Sequence, residues 1–240
     1  MRQLFKKTIL MCLLTLLLLC PSQVQASRSS YVKQQNFLTK TKIRNALADT
    51  CSKLMIVAHP DDETFWGGAH LLEKGYFVVC LTNGNSRRRK AEFESLLRAT
   101  GNKGMILYYP DRVGGKKSNW SKCKGAVSAD LGLLVRYKKW KQIVTHSPKG
   151  EYGHIQHKLT SKMVTKQCKA AGKYEKLYYF GKYYSKTRLK RHTKKLTRLP
   201  KKQLVQKEKL LKYYPSQRNA IKAFSHMNPY ETWIPASEWK

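Results

Sequence analysis

The chain is predicted to adopt a three-layer α/β fold on a mostly parallel sheet, and two observations predict it. Apolar runs of strand length alternate with longer stretches of helix length, a pattern that builds parallel sheets with helices on both faces. The most chemically loaded residues also follow directly on two of the apolar runs, where open α/β sheets carry their ligand sites.

The first strand is predicted at 53–58, where KLMIVA reads as a fully buried run, and its helix at 64–74 after the acidic DDE. A second strand at 77–82 ends on an Asn83-Gly84 turn, and SRRRKAEFESLLRATG carries a helix at 87–100. A third strand at 105–109 leads into a Gly- and Lys-rich loop at 111–119, expected near the active rim as a mobile substrate-binding segment. Helix 125–138, strand 142–145, helix 157–171 and strand 177–180 complete the alternation. No GxGxxG follows the first strand, which argues against a dinucleotide site. Residues 51–240 are expected to form one domain, including a basic C-terminal region at 184–240, and that length buries a substantial core without staples.

KLMIVAHPDDETF (53–65) breaks from an apolar run into one imidazole and three carboxylates within five residues. Asp61, Asp62 and Glu63 could merely complement the positive end of a helix. A second cluster, THSPKGEYGHIQH (145–157), follows the strand at 142–145 and brings further histidines to the same rim. Zinc accounts for both clusters better than capping does, because a hydrolytic zinc site uses about three His or carboxylate ligands and keeps a position open. His59, Asp62 and one histidine of the HxxH pair suit that set. Asp61, beside a ligand but free of it, suits a general base, and the other histidine suits an oxyanion donor when protonated. Iron, cobalt or manganese would accept the same ligands.

These motifs carry a resemblance. HPDDE after a first strand, with GEYGHxxH after a fourth, resembles the LmbE-like or PIG-L family of zinc-dependent N-acetylglucosamine de-N-acetylases, and the likeness extends to the KLLKYYPSQ and ETW segments. The resemblance implies a Rossmann-like fold and hydrolysis of the N-acetyl amide of an amino sugar. It implies His59, Asp62 and His157 as zinc ligands, Asp61 as general base and His154 as the residue that steadies the oxyanion. It further implies that Arg89, in the RxxE positions shared with Glu92, contacts substrate hydroxyl or phosphate groups. Asp111, in YYPD, falls on the same rim as a candidate for sugar hydroxyls. One departure stands out: many members have Pro-Asp between the two histidines, where this chain has Ile155 and Gln156. A neutral Gln156 raises the pKa of His154 less than a carboxylate would, and Glu151 is the candidate substitute.

MRQLFKK, an apolar TILMCLLTLLLLC and Val24-Gln25-Ala26 read as a signal peptide over 1–26, followed by a polar lead-in with a short helix over 27–50. The protein is therefore expected to be exported, extracellular or associated with the cell envelope. Of the cysteines left after cleavage, Cys80 reads as a buried thiol, and the spacing of Cys51, Cys123 and Cys168 selects no disulfide pair.

Forty-eight Lys and Arg against fourteen Asp and Glu give a net charge of +34, densest in KTRLKRHTKKLTRLPKKQ (186–203), expected as an exposed helix or loop beyond the sheet. Such charge favours association with anionic cell-surface polymers or lipid head groups. A nucleic-acid partner is disfavoured by the export signal and by the lack of interleaved aromatics in the basic block. The rival to hydrolysis is a catalytically weak or inactive family member that binds anionic glycans or phospholipid head groups.

Overall fold

The first strand, β1 (Lys53–Val57), is buried on both faces, as a central parallel strand must be. Leu54 and Ile56 join one apolar cluster and Met55 and Val57 the other, so the period-two alternation of one five-residue run serves two cores. The computed structural model describes residues 38–240. The signal sequence expected at 1–26 and the 27–37 part of the lead-in lie outside the described residues.

The lead-in helix α1 (Lys40–Ala46) is capped by the Thr39 hydroxyl. After β1 come α2 (Asp62–Leu71), β2 (Tyr76–Thr82), α3 (Arg87–Thr100) and β3 (Lys103–Tyr109). A small hairpin of β4 (Arg112–Val113) and β5 (Lys116–Lys117) follows, then α4 (Lys124–Tyr137), β6 (Gln142–Thr145), α5 (Ile155–Ala170) and β7 (Leu177–Phe180). The main sheet has the order β3-β2-β1-β6-β7-β8, parallel throughout except where β8 (Trp233–Pro235) runs antiparallel to β7. The fold is thus the mixed α/β, Rossmann-like arrangement expected of the alternation. Residues of α1, α4 and α5 pack on the Leu54 face, and those of α2 and α3 on the Met55 face.

Two features differ from the sequence expectation. The helix α2 begins at Asp62 and α5 at Ile155, each two residues before the expected start, which puts Asp62 and His157 inside first helical turns. The segment 111–119, expected as an open loop, holds the β4–β5 hairpin, closed by Gly114 and Gly115 at φ of 56° and 74°. The region 184–240 packs against the rest of the domain. Its α6 (Lys186–Leu189), α7 (Lys201–Leu211), α8 (Arg218–Phe224) and β8 return to the domain, and α7 buries Leu210 and Leu211 against α2. A fully buried ion pair, Lys207 Nζ to Glu231 at 2.8 Å, anchors this return, with Glu231 also accepting from the Ala69 and His70 amides of α2. Cys51, Cys80, Cys123 and Cys168 are free thiols.

Strand order reverses between β1 and β6, the topological switch point where α/β sheets open a crevice at their carboxyl ends. The two polar clusters leave the sheet from the two strands that flank it. Gly84 keeps the next turn tight: a Cβ there would stand 2.6 Å from the Leu107 carbonyl oxygen.

Candidate active site

A cavity of about 250 Å³ opens at this crevice and is lined by His59, Asp61, Asp62, Arg89, Asp111 and His154 among others. Six of the seven residues expected from the sequence therefore line one cavity. The seventh, His157, is fully buried behind it.

Donor atoms of three residues converge there. His59 Nδ1 stands 3.1 Å from Asp62 Oδ2 and 3.2 Å from His157 Nε2, and His157 Nε2 stands 3.3 Å from Asp62 Oδ1. Ligands about 2.0–2.2 Å from a tetrahedral zinc are about 3.3–3.6 Å apart, so the triangle has close to the right edges. The hydrogen bonds behind it expose the right lone pairs. His59 Nε2 donates to Gln156 Oε1 at 2.6 Å, which leaves Nδ1 facing the triangle. His157 Nδ1 donates to Glu151 Oε2 at 2.6 Å, which leaves Nε2 facing it. Two imidazole nitrogens and a carboxylate thus face one another across one small space, an arrangement that a proton or a metal cation can occupy. Burial lowers the His59 pKa, yet Asp111 and Asp62 outweigh it and raise it to about 10, so the same surroundings attract positive charge. Burial works against the Asp62 carboxylate, but His157 and His146 hold its pKa well below the usual range. By donor type and spacing, these residues fit a zinc-like ion.

Gln156 and Glu151 have other roles than the sequence suggested. Gln156 does not tune His154 through its side chain; besides accepting from His59, its amide donates to the Pro110 and Asp111 carbonyls. Glu151 does not substitute beside His154 either. It accepts from His157 and, at 2.9 Å, from His146 Nδ1, while its other oxygen accepts the Ser147 amide at 2.8 Å. Burial would raise the Glu151 pKa, but His146 and His157 bring it to about 2. Such outer partners fix ring orientation and tautomer at metal sites. His146, unassigned in the sequence analysis, accepts the Ala58 amide on Nε2 at 2.9 Å and stacks on His157 with centroids 3.9 Å apart. Its position as the first residue after β6 was the available signal.

Asp61 is the N-cap residue of α2, but its side chain makes no capping bond, so helix capping does not explain it. It sits at φ 120°, a strained conformation for a non-glycine residue, held by its amide donating to Glu63 and by Arg89. Arg89 Nη2 donates to Asp61 Oδ2 at 3.1 Å and to the Pro60 carbonyl, while Nη1 reaches Glu92 and Ser216. Much of the guanidinium is therefore spent on the protein itself. Burial raises the Asp61 pKa above the usual carboxylate range, and Arg89 draws it back. The carboxyl is thereby tuned toward the range a general base needs.

The C-terminal return reinforces this corner. Tyr214 donates to the buried Glu63 at 2.6 Å, and the Ser216 amide and hydroxyl donate to Glu92 at 2.8 and 2.6 Å. The YPS part of KLLKYYPSQ thus secures the strained turn and the arginine from behind.

His154, the N-cap of α5, accepts the Gln156 amide on Nδ1 at 3.3 Å. Burial, together with the charges of His157, His59 and Lys117, lowers its pKa to about 3. With its pKa lowered and Nδ1 accepting, the ring is neutral and has Nε2 as its donor. Asp111 Oδ1 lies 3.5 Å from His59 Nε2 at the cavity wall.

Residues 54–168 match the sequence profile of the PIG-L family, described as GlcNAc-PI de-N-acetylase. The chain is also similar to an uncharacterized protein of Acanthamoeba polyphaga mimivirus, 35% identical over 129 residues that cover 47% of this chain and 56% of that one. It therefore spans little more than half the length of that relative.

Proposed function

With residues 54–168 belonging to the PIG-L family, we propose that this chain is an exported, metal-dependent N-deacetylase that hydrolyses the acetamide of an N-acetylglucosamine-type sugar. The observation that carries the reading is the convergence of His59 Nδ1, Asp62 and His157 Nε2 at 3.1–3.3 Å beside the Asp61 carboxyl, which stands on a strained turn and is paired with Arg89. His59, Asp62 and His157 would hold zinc or a similar divalent ion, which supplies a Lewis acid to the amide carbonyl and acidifies water.

The chain's own residues do the rest. Asp61 takes a proton from the water that adds to the acetamide carbonyl, and delivers it to the nitrogen as the C–N bond breaks, giving acetate and a free amine. His154 donates its Nε2 proton in a hydrogen bond to the oxygen that gains charge at the tetrahedral stage. As a neutral donor it needs no carboxylate partner, so Gln156 in place of an aspartate is no obstacle. The rival reading, a binder that keeps the metal site without turnover, leaned on Gln156 and on the basic C-terminal region; Gln156 accepting from His59 removes the first of these grounds. Arg89 acts first on Asp61, and Asp111 is offered to sugar hydroxyls.

Arg89→Met tests the link to Asp61. Removing a cation beside a carboxylate destabilises the ionised form, so the Asp61 pKa rises and the base is ionised only at higher pH. The acidic limb of the kcat–pH profile is expected to move to higher pH, and an unmoved limb would detach Arg89 from the base. Acetate release from N-acetylglucosamine glycosides tests the activity itself.

A further inference from the structure

A second cavity, of about 450 Å³, adjoins the amide pocket, and Tyr152 lines both. The join is an aromatic wall. Tyr152 stacks on Phe224 of the first pocket with centroids 4.6 Å apart, and meets Tyr183 of the second at 6.1 Å. Tyr183 in turn stands edge-on to Trp66 of the first pocket at 6.1 Å. Beyond it, Tyr184 and Trp239 continue the lining, and the Lys182 ammonium lies 5.9 Å over the Trp239 ring.

The second cavity is also cationic. Lys149, Lys182 and Arg188 line it, and all three are exposed. The acid among its lining residues is Glu151, whose side chain is fully buried and already accepts from His146, His157 and the Ser147 amide. No lining carboxylate is thus free to offset the three cations. One polar group remains uncommitted at the wall: the His192 ring stacks on Tyr184 at 4.1 Å, and its buried Nδ1 has no hydrogen-bond partner among the described residues. Flat aromatic faces suit the apolar face of a sugar ring, and a lysine–arginine pair suits a carboxylate or phosphate.

We propose that the second cavity is a saccharide subsite for an anionic sugar unit joined to the N-acetylated one, so that the enzyme acts on an acidic oligosaccharide rather than an isolated glycoside. This rests on the proposed hydrolysis for its first pocket. The shared chemistry is an anionic sugar, and the anion is either a uronate carboxylate or a sugar phosphate.

The zinc-loaded full chain is tested on a neutral N-acetylglucosamine tetrasaccharide, on one alternating N-acetylglucosamine with glucuronate, and on one bearing a sugar phosphate. Acetate release and tryptophan-fluorescence titration are both read. At least one acidic oligosaccharide is expected to show KM about tenfold below the neutral one, and the better of the two arms identifies the anion. Lys182→Ala combined with Arg188→Ala is expected to remove that preference, leaving kcat on a simple methyl glycoside unchanged. Equal KM for neutral and acidic oligosaccharides overturns the subsite. So does an equal loss from Lys209→Ala with Lys212→Ala, exposed lysines outside the cavity, since that would reveal unspecific attraction to a basic protein. If no substrate releases acetate, the hydrolytic reading fails, and the titration alone decides. Tight binding of an acidic oligosaccharide that the Lys182/Arg188 variant loses upholds the subsite, and unchanged binding overturns it.

Discussion

Asp61→Asn is expected to lower kcat by about 10²–10⁴-fold while metal stoichiometry stays as in the parent protein. The carboxyl is not among the three converging donors, so the triangle survives its loss. What disappears is the carboxyl placed to shuttle a proton between water and the leaving nitrogen, since Asp62 is committed to His59 and His157, and Glu63 to Tyr214 and Thr64. A second pair of variants isolates the backbone strain. Asp61→Ala and Asp61→Gly both delete the carboxylate, but glycine adopts φ 120° without the penalty of about 1–3 kcal/mol that a Cβ brings. The glycine variant is therefore expected to melt above the alanine variant, with both inactive. Matching kcat in Asp61→Asn and the parent would remove Asp61 from the chemistry.

Glu151→Gln is expected to weaken metal binding by about 10–100-fold, read by competition with a chromophoric chelator. One carboxylate oxygen accepts from two ring N–H groups, at 2.6 Å from His157 and 2.9 Å from His146. An amide in its place can offer its single oxygen to the rings only by turning its NH2 toward the Ser147 amide, another donor. Turned the other way, it confronts both rings with a donor. Either orientation leaves a buried donor unmatched, at a cost of about 1–3 kcal/mol, and loosens the tautomer that aims His157 Nε2 at the triangle. Unchanged affinity in a folded variant would show that His157 needs no such support.

The sequence made the first half of this site legible and concealed the second. A buried apolar run that ends in HPDDE fixes both the strand and the place where its carboxylates emerge, because parallel strands deliver their loops to one rim. His59, Asp61 and Asp62 could be named on that ground, whereas the choice of His157 over His154 as the third ligand comes only from the family resemblance. The partners behind them could not, since their directions depend on loop geometry: Glu151 has φ 51° between Gly150 and Gly153, at 66° and 97°, and no periodicity encodes where such a side chain points. Gln156 misled for the same reason. It was compared by position with a residue that tunes His154, whereas the early start of α5 turns it toward His59. The charge of His154 likewise depends on its burial beside His157 and His59, which no sequence pattern encodes. Strand β8, three residues long, is too short for an alternation to register, and the Tyr214–Glu63 and Ser216–Glu92 bonds span 151 and 124 residues of sequence.

The most direct measurement is acetate release from an N-acetylglucosamine glycoside by the purified full chain, run as isolated, after exhaustive chelation, and after zinc is restored. Release that falls to background on chelation and returns with zinc is the expected result. Acetate production that persists in the chelated protein, or its absence in protein carrying zinc on His59, Asp62 and His157, would contradict the account.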